Sequence, residues 1–207
     1  MDNCTVAVDL VILLDGSGSV NDGNFESVTK AVVNFLESLS PSRRDQPLLL
    51  NIVQFSRRQR EEFSGVICTD AQLSTACVPW TEASDAIRGL SQVGGASYTW
   101  SALDFVVKET APRSFRRNTH KILITITDGL VNSDDPLPSS GAIRAASRLF
   151  DQMIAVSVGN DIDKIVLEKL GNGRFKNVSD YNALQSEIVE VTEELCIPTF
   201  YPGCGRS

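Results

Sequence analysis

Asp9-Leu-Val-Ile-Leu-Leu-Asp15-Gly-Ser-Gly-Ser19 is the stretch on which the fold is decided. Its first six residues have the length and apolar character of a buried strand. Beyond it, Asn24 to Leu39 carries Phe25, Val28, Val32, Phe35, Leu36 and Leu39 at helical spacing. Asp15 to Ser19 therefore lies on a strand-to-helix turn at the strand's carboxyl end, the edge where open α/β sheets bind their ligands. Residues two apart in extended chain point the same way, so Asp15, Ser17 and Ser19 converge. Gly16 and Gly18 let the backbone bend and leave the other side free of bulk. Three converging oxygen side chains are the donor set of a hard divalent cation, magnesium above all. The simpler reading is a Gly/Ser turn whose Ser19 or Asn21 caps the following helix.

The rest of the chain alternates in the same way. Leu48 to Phe55 reads as a second buried strand, and Glu61 to Ile67 as an edge strand paired antiparallel to it. Ala83 to Val93 reads as a short helix ended by Gly94-Gly95. Ala96-Ser-Tyr-Thr-Trp100 opens another helix, with Leu103, Val106 and Val107 on its apolar face. Lys121 to Thr127 is the clearest buried strand and ends on Asp128-Gly129. A helix over Ala142 to Phe150, a strand over Met153 to Val158 and a helix over Ile162 to Leu170 follow. A short strand over Arg174 to Val178 and an amphipathic helix over Tyr181 to Leu195 complete the pattern. The alternation predicts an α/β, doubly wound, mostly parallel central sheet with one antiparallel edge strand and helices on both faces. One domain runs from Cys4 to Cys196, and residues 197–207 read as a linker-like tail.

At 207 residues the chain is long enough for one well-buried α/β domain. A formal net charge of −7 argues against a general nucleic-acid binder. No apolar run approaches the roughly 20 residues that span a bilayer. Met1, a few residues before a strand and with no signal peptide, reads as an expression start on an excised domain. The five cysteines, at 4, 68, 77, 196 and 204, lack zinc-site spacing. Cys68 and Cys77 bracket a short polar loop, whereas Cys4 and Cys196 bracket nearly the whole domain. Two sequons, at Asn3 and Asn177, accompany them. Together these favour an oxidising, extracellular setting, with Cys204 left over, over reduced cysteines buried in a cytosolic protein. Arg57, Arg58 and Arg60 form a turn, solvated or facing an acidic partner. Arg113, Arg116, Arg117 and His120 read as a solvated basic loop.

Two distant features join the opening turn. Thr99 follows a glycine pair and leads into a helix, and Asp128 ends a central strand as Asp15 does. In order and separation, Asp15-Gly-Ser-Gly-Ser19, Thr99 and Thr127-Asp128-Gly129 resemble the von Willebrand factor type A domain, the family of integrin I domains, matrilins and collagen-associated A domains. The likeness covers about Val8 to Cys196. The bracketing Cys4 and Cys196 are similar to A domains of the matrix type, and Arg117 to Gly129 to the integrin type. In that family the motif is the metal-ion-dependent adhesion site. The resemblance thus implies Ser17, Ser19 and Thr99 as hydroxyl ligands, with Asp15 and Asp128 acting directly or through water. It implies Mg²⁺, with Mn²⁺ or Ca²⁺ as substitutes. It also implies a partner, an extracellular-matrix or cell-surface protein, that offers a Glu or Asp carboxylate; a glycosaminoglycan is the weaker candidate. Trp100 departs from the family, which often has a small residue there, and is either an apolar anchor beside the cation or a core-packed indole. Tyr98, Arg57 and Arg58 are the other candidates for a partner surface. By the same resemblance, Tyr181 to Leu195 would slide between affinity states, and a Cys4–Cys196 bridge would restrain it.

The function expected is a non-enzymatic, metal-dependent adhesion module. A structural A domain without a metal-dependent ligand is the first alternative. A Mg²⁺-dependent hydrolase is the second, and it needs a general base or nucleophile near the cation. These loops offer no His, Lys or Cys. There is no Walker motif, no Gly-x-Ser-x-Gly elbow at Ser17 or Ser19, and position 21 is Asn where a Gly-x-Gly-x-x-Gly would need glycine.

Overall fold

The computed structural model describes residues 7–39, 48–68, 77–136, 138–159, 162–180 and 183–184. The strands are β1 (Val8–Asp15), β2 (Leu48–Phe55), β3 (Gln59–Cys68), β4 (Val78–Pro79), β5 (His120–Thr127), β6 (Gln152–Val158) and β7 (Phe175–Val178). The helices are α1 (Asp22–Ser38), α2 (Trp80–Arg88), α3 (Thr99–Phe105), α4 (Ala111–Ser114), α5 (Ser139–Leu149) and α6 (Lys164–Leu170). A π-helical turn, Val106–Thr110, joins α3 to α4. Among the described residues the strands form one sheet in the order β4-β3-β2-β1-β5-β6-β7, parallel except for the β2–β3 pair.

β1 is apolar at every residue except Asp9 and Asp15, because it lies mid-sheet with both faces covered. Leu10, Ile12 and Leu14 pack into a core with Val28, Val32, Phe35 and Leu36 of α1 and Ile87 of α2. Val11 and Leu13 point the other way, into a second core with Ala102 and Leu103 of α3, Val106, and Ala142 and Ala146 of α5. Helices on both faces and two parallel neighbours, β2 and β5, make the carboxyl end of β1 a switch point of the sheet.

Several elements differ from the sequence reading. The antiparallel strand β3 is next to the edge rather than on it, because Val78 and Pro79 of β4 pair outside Ile67 and Cys68. The Cys68–Cys77 disulfide, with its Cα atoms 5.7 Å apart, holds that added strand in place. The helix expected over Ala83 to Val93 starts at Trp80 and stops at Arg88, where Gly89 takes the C-cap. Residues beyond it are drawn into a loop instead, since Gln92 Nε2 donates to Ser17 O at 2.5 Å and the Val93 amide donates to Gln54 Oε1 at 2.7 Å. The helix expected from Ile162 begins at Lys164, after Asp163 caps it through the amides of Ile165 and Val166.

Arg116 corrects the solvated-loop reading of the basic cluster. Its amide and Nε both donate to the fully buried Asp9, each at 2.7 Å, and Nη2 donates to Val8 O. Thr119 adds its hydroxyl to Asp9 at 2.7 Å. An acid inside β1 is tolerated because this cluster neutralises it. The helix over Tyr181 to Leu195, the Cys4–Cys196 bridge, Asn3, Cys204 and the tail lie outside the described residues, apart from Ala183 and Leu184.

Candidate metal centre

The site begins with the backbone of the Asp15–Ser19 turn. Asn21, with a φ of 57°, caps α1 by accepting the Asn24 amide at 3.0 Å. Ser19 is therefore not the cap. Its hydroxyl lies 3.1 Å from that of Ser17, the two side by side as the alternation predicts. Gly16 is needed for space: a Cβ there would sit 2.1 Å from Gln54 Oε1. Main-chain bonds from Gly18 to Gly95 O and from Gly94 to Gly16 O, each 2.8 Å, lash the turn to the loop before Thr99. Gly94 and Gly95 adopt φ of 73° and 98°, which side-chain-bearing residues rarely do.

Asp15 is buried at the centre of the group. Its Oδ1 accepts the Ser17 amide at 2.9 Å, and its Oδ2 accepts the hydroxyls of Thr127 at 2.7 Å and Ser97 at 3.1 Å. Ser97 also lies 3.3 Å from the Thr99 hydroxyl. Asp128, half-buried, accepts the Leu130 amide on Oδ1 at 3.1 Å. Burial and the nearby charge of Asp128 push Asp15 up from 3.8 to about 6, against the lowering effect of the Ser17 and Thr127 hydrogen bonds. Among the described residues, every hydrogen-bond donor to Asp15 is neutral.

These residues fit a divalent cation. Two carboxylates that repel one another, surrounded by hydroxyls and neutral donors, are an electrostatic arrangement that positive charge relieves. The donors are all oxygen, which suits a hard ion such as Mg²⁺ and not a thiolate-seeking one. Among the described residues no group of three or more His, Cys, Asp or Glu side chains could hold a metal ion, so a cation at this turn would need hydroxyls among its ligands.

The other sequence candidates divide. Trp100 is core-packed: only 8% exposed, it sits with Ala155, Leu167 and Leu170. Trp100 is thus no surface anchor, because α3 turns that position inward. Tyr98 is half-buried, and the exposed Arg57 lies with its guanidinium carbon 5.9 Å from the Tyr98 ring centre. Arg58 is exposed on the same turn, and Ser56 O accepts the Tyr98 amide at 3.2 Å. Asn177 is exposed on β7, its Oδ1 accepting the Ser157 hydroxyl at 2.9 Å. Sequence reasoning did not single out Ser97, Gln54, Gln92 or Asp135. Ser97 alone carried a local signal, since it precedes Thr99 by the same alternation that links Ser17 to Ser19.

A family model described as the von Willebrand factor type A domain matches residues 9–191. Mouse matrilin-1 is 28% identical over 198 residues, covering 92% of this chain and 36% of its own. Mouse integrin alpha-M is 28% identical over 195 residues, covering 88% of this chain and 16% of its own. The chain thus spans about a third or less of the length of these relatives. Among solved structures, proximal thread matrix protein 1 from the mussel byssus, described with a zinc-occupied MIDAS motif, superposes with a TM-score of 0.74 at 19% identity. That match covers 95% of this chain and 50% of the mussel protein, and what it shows of this chain is the fold.

Proposed function

The chain belongs to the von Willebrand factor type A domain family, and from that premise we propose that it is an extracellular, non-enzymatic module that binds a partner protein through a divalent cation. The domain is taken as residues 4–196, with 197–207 as a tail. Asp15, Ser17, Ser19, Thr99 and Asp128 hold the cation, Mg²⁺ by preference, with Mn²⁺ or Ca²⁺ as substitutes. When bound, the cation supplies a Lewis-acidic contact for a Glu or Asp carboxylate of a matrix or cell-surface protein.

One observation carries this reading: Asp15 is surrounded by hydroxyls and neutral donors, and burial first and then the charge of Asp128 push its carboxyl up. A buried carboxylate beside a second one is costly without positive charge. Ser17, Ser19 and Thr99 are neutral, so they add coordination without cancelling the ion's charge, which favours an anion from outside. Arg57 and Arg58 border the site and add to that preference, and Tyr98 gives Arg57 a surface to lie on. Similarity to matrilin-1 and integrin alpha-M supports the adhesive and extracellular side of the reading. The zinc described in the mussel protein supports a divalent ion without specifying magnesium.

The test is a binding screen against collagens, glycosaminoglycans and cell-surface proteins, run with Mg²⁺ and with EDTA. Binding that needs Mg²⁺ and is lost in Asp128→Ala supports the module. Binding indifferent to EDTA assigns the domain a structural role instead. Turnover of a phosphate or ester substrate would revive a hydrolase.

A further inference from the structure

Tyr98, which precedes α3, provides no side-chain acceptor for the helix's first turn. The amides at the start of a helix need one. It arrives from a different part of the chain. Asp135, on the connection from β5 to α5, accepts the Trp100 amide on Oδ2 at 2.7 Å and the Ser101 amide on the same oxygen at 3.2 Å. Its Oδ1 accepts the Ser101 hydroxyl at 2.6 Å. Earlier on that connection, the Asn132 amide donates to Ser97 O at 3.0 Å. Thr99 is therefore held on both flanks by the same segment that begins with Asp128.

We propose that Asp135 is a positioning residue of the metal centre, bracing the Thr99 hydroxyl and the Asp128 loop into one unit without touching the cation. The inference rests on the metal reading above. Both oxygens of Asp135 are turned to α3, so it acts through the backbone it holds. Thr99 is fully buried, and the placement of its hydroxyl follows from the backbone between Tyr98 and Trp100. Hydrogen bonds from amides to an ionised carboxylate are stronger than neutral ones, and this carboxylate also meets the positive end of the helix. Removing it leaves two amides and a hydroxyl short of their acceptor, and the turn that carries Thr99 loosens. Trp100, seated among Ala155, Leu167 and Leu170, keeps the rest of α3 docked, so the loosening is local.

The experiment titrates Mg²⁺ alone, by calorimetry, into the wild type and into Asp135→Ala, Asp135→Asn, Thr99→Ala, Asp128→Ala and the Asp135→Ala/Thr99→Ala pair. Amide exchange at Trp100 and Ser101 is followed in EDTA. Partners that orient metal ligands are worth about 10–100-fold in affinity, and a loss of that size is expected for Asp135→Ala. Asp135→Asn, which keeps an oxygen acceptor, should lose less. In the Thr99→Ala background, Asp135→Ala should add little, because the ligand it positions is already gone. Faster exchange at Trp100 and Ser101 should accompany the loss. Wild-type Mg²⁺ affinity in either folded Asp135 variant overturns the proposal. So do losses from Asp135→Ala and Thr99→Ala that simply multiply. If Asp135→Ala does not fold, the Asp135→Asn titration and its exchange rates decide alone. Unchanged Mg²⁺ binding in Asp128→Ala marks failure of the metal reading itself, and the positioning role falls with it.

Discussion

The Thr127 hydroxyl donates to Asp15 Oδ2 over 2.7 Å, so the last residue of β5 fastens the last residue of β1 across the mouth of the site. Asp128 follows immediately, and the same fastening sets the two carboxylates against each other. Removing Asp128 should therefore have opposite effects on binding and on the fold. Asp128→Ala is expected to lose Mg²⁺ binding and adhesion, yet to be as stable as wild type in EDTA or slightly more so. Thermal unfolding in EDTA and in Mg²⁺ measures both. A variant that melts well below wild type in EDTA would contradict the repulsion.

Acidity at Asp15 gives a pH signature. In the fold Asp15 keeps its proton up to about pH 6, whereas its ordinary value is 3.8. The folded chain binds more protons in that window, so with the cation chelated its contribution to stability falls as pH rises from 3.8 to about 6, then levels off. Cation binding needs the ionised carboxylate and should weaken as pH drops below about 6. Urea unfolding in EDTA, compared between wild type and Asp15→Asn, isolates the first trend. Identical pH profiles for the two proteins would refute it.

Two glycines of one turn should respond differently to alanine. At Gly16 a Cβ meets Gln54 Oε1 at 2.1 Å, whereas at Gly18 nothing lies nearer than the Gly95 backbone at 3.7 Å. Gln54 is fully buried and holds the Val93 amide and Ser91 O, so it cannot move aside without breaking those bonds. Gly16→Ala should cost roughly 1–3 kcal/mol, and Gly18→Ala within about 0.5 kcal/mol. Chemical denaturation of both variants checks the contrast.

At the opposite end of β1, Arg116→Ala would leave Asp9 buried without its cation. Breaking one side of such a pair typically costs about 3–5 kcal/mol. Arg116→Lys should recover only part of the loss, since an ammonium cannot reproduce the Nε and Nη2 bonds. Urea midpoints at constant slope decide this, and a loss under about 1 kcal/mol would show that Asp9 finds other compensation.

For the disulfides, a non-reduced digest should yield Cys68 linked to Cys77. Replacing both by serine should cost about 2–3 kcal/mol and release β4 from β3. The same digest tests the sequence-based pairing of Cys4 with Cys196. A peptide joining Cys196 to Cys204 would overturn that pairing.

β1, β2, β5 and β6 were legible because each is a short apolar run buried almost throughout, and Asp15, Ser17 and Ser19 because their alternation is local. Thr99 and Asp128 were placed by resemblance, and the reason they meet, that β5 lies directly beside β1, is a long-range pairing that no local pattern encodes. Trp100 stayed ambiguous because its neighbours in sequence do not reveal that Leu167 and Leu170 cover it. Arg116 looked like one more charge in a basic run, since Asp9 is remote in sequence. Asp135 is an acid in a polar loop until the amides of Trp100 and Ser101 come to it.

The strand order also governs when the molecule can acquire its site. β1 pairs with β2 early in the chain, but its other edge waits for β5, with Leu13 meeting Thr125. During synthesis the first strand emerges with one flank open until the polypeptide has been made as far as β5. Pairings between such distant segments are slow to form, and the exposed edge invites other chains meanwhile. Asp15 and Asp128 are thus kept apart in the nascent chain and meet only when β5 inserts beside β1. Assembly of the proposed cation site therefore reports that β5 is in place beside β1, and a chain interrupted before His120 has no means of forming it.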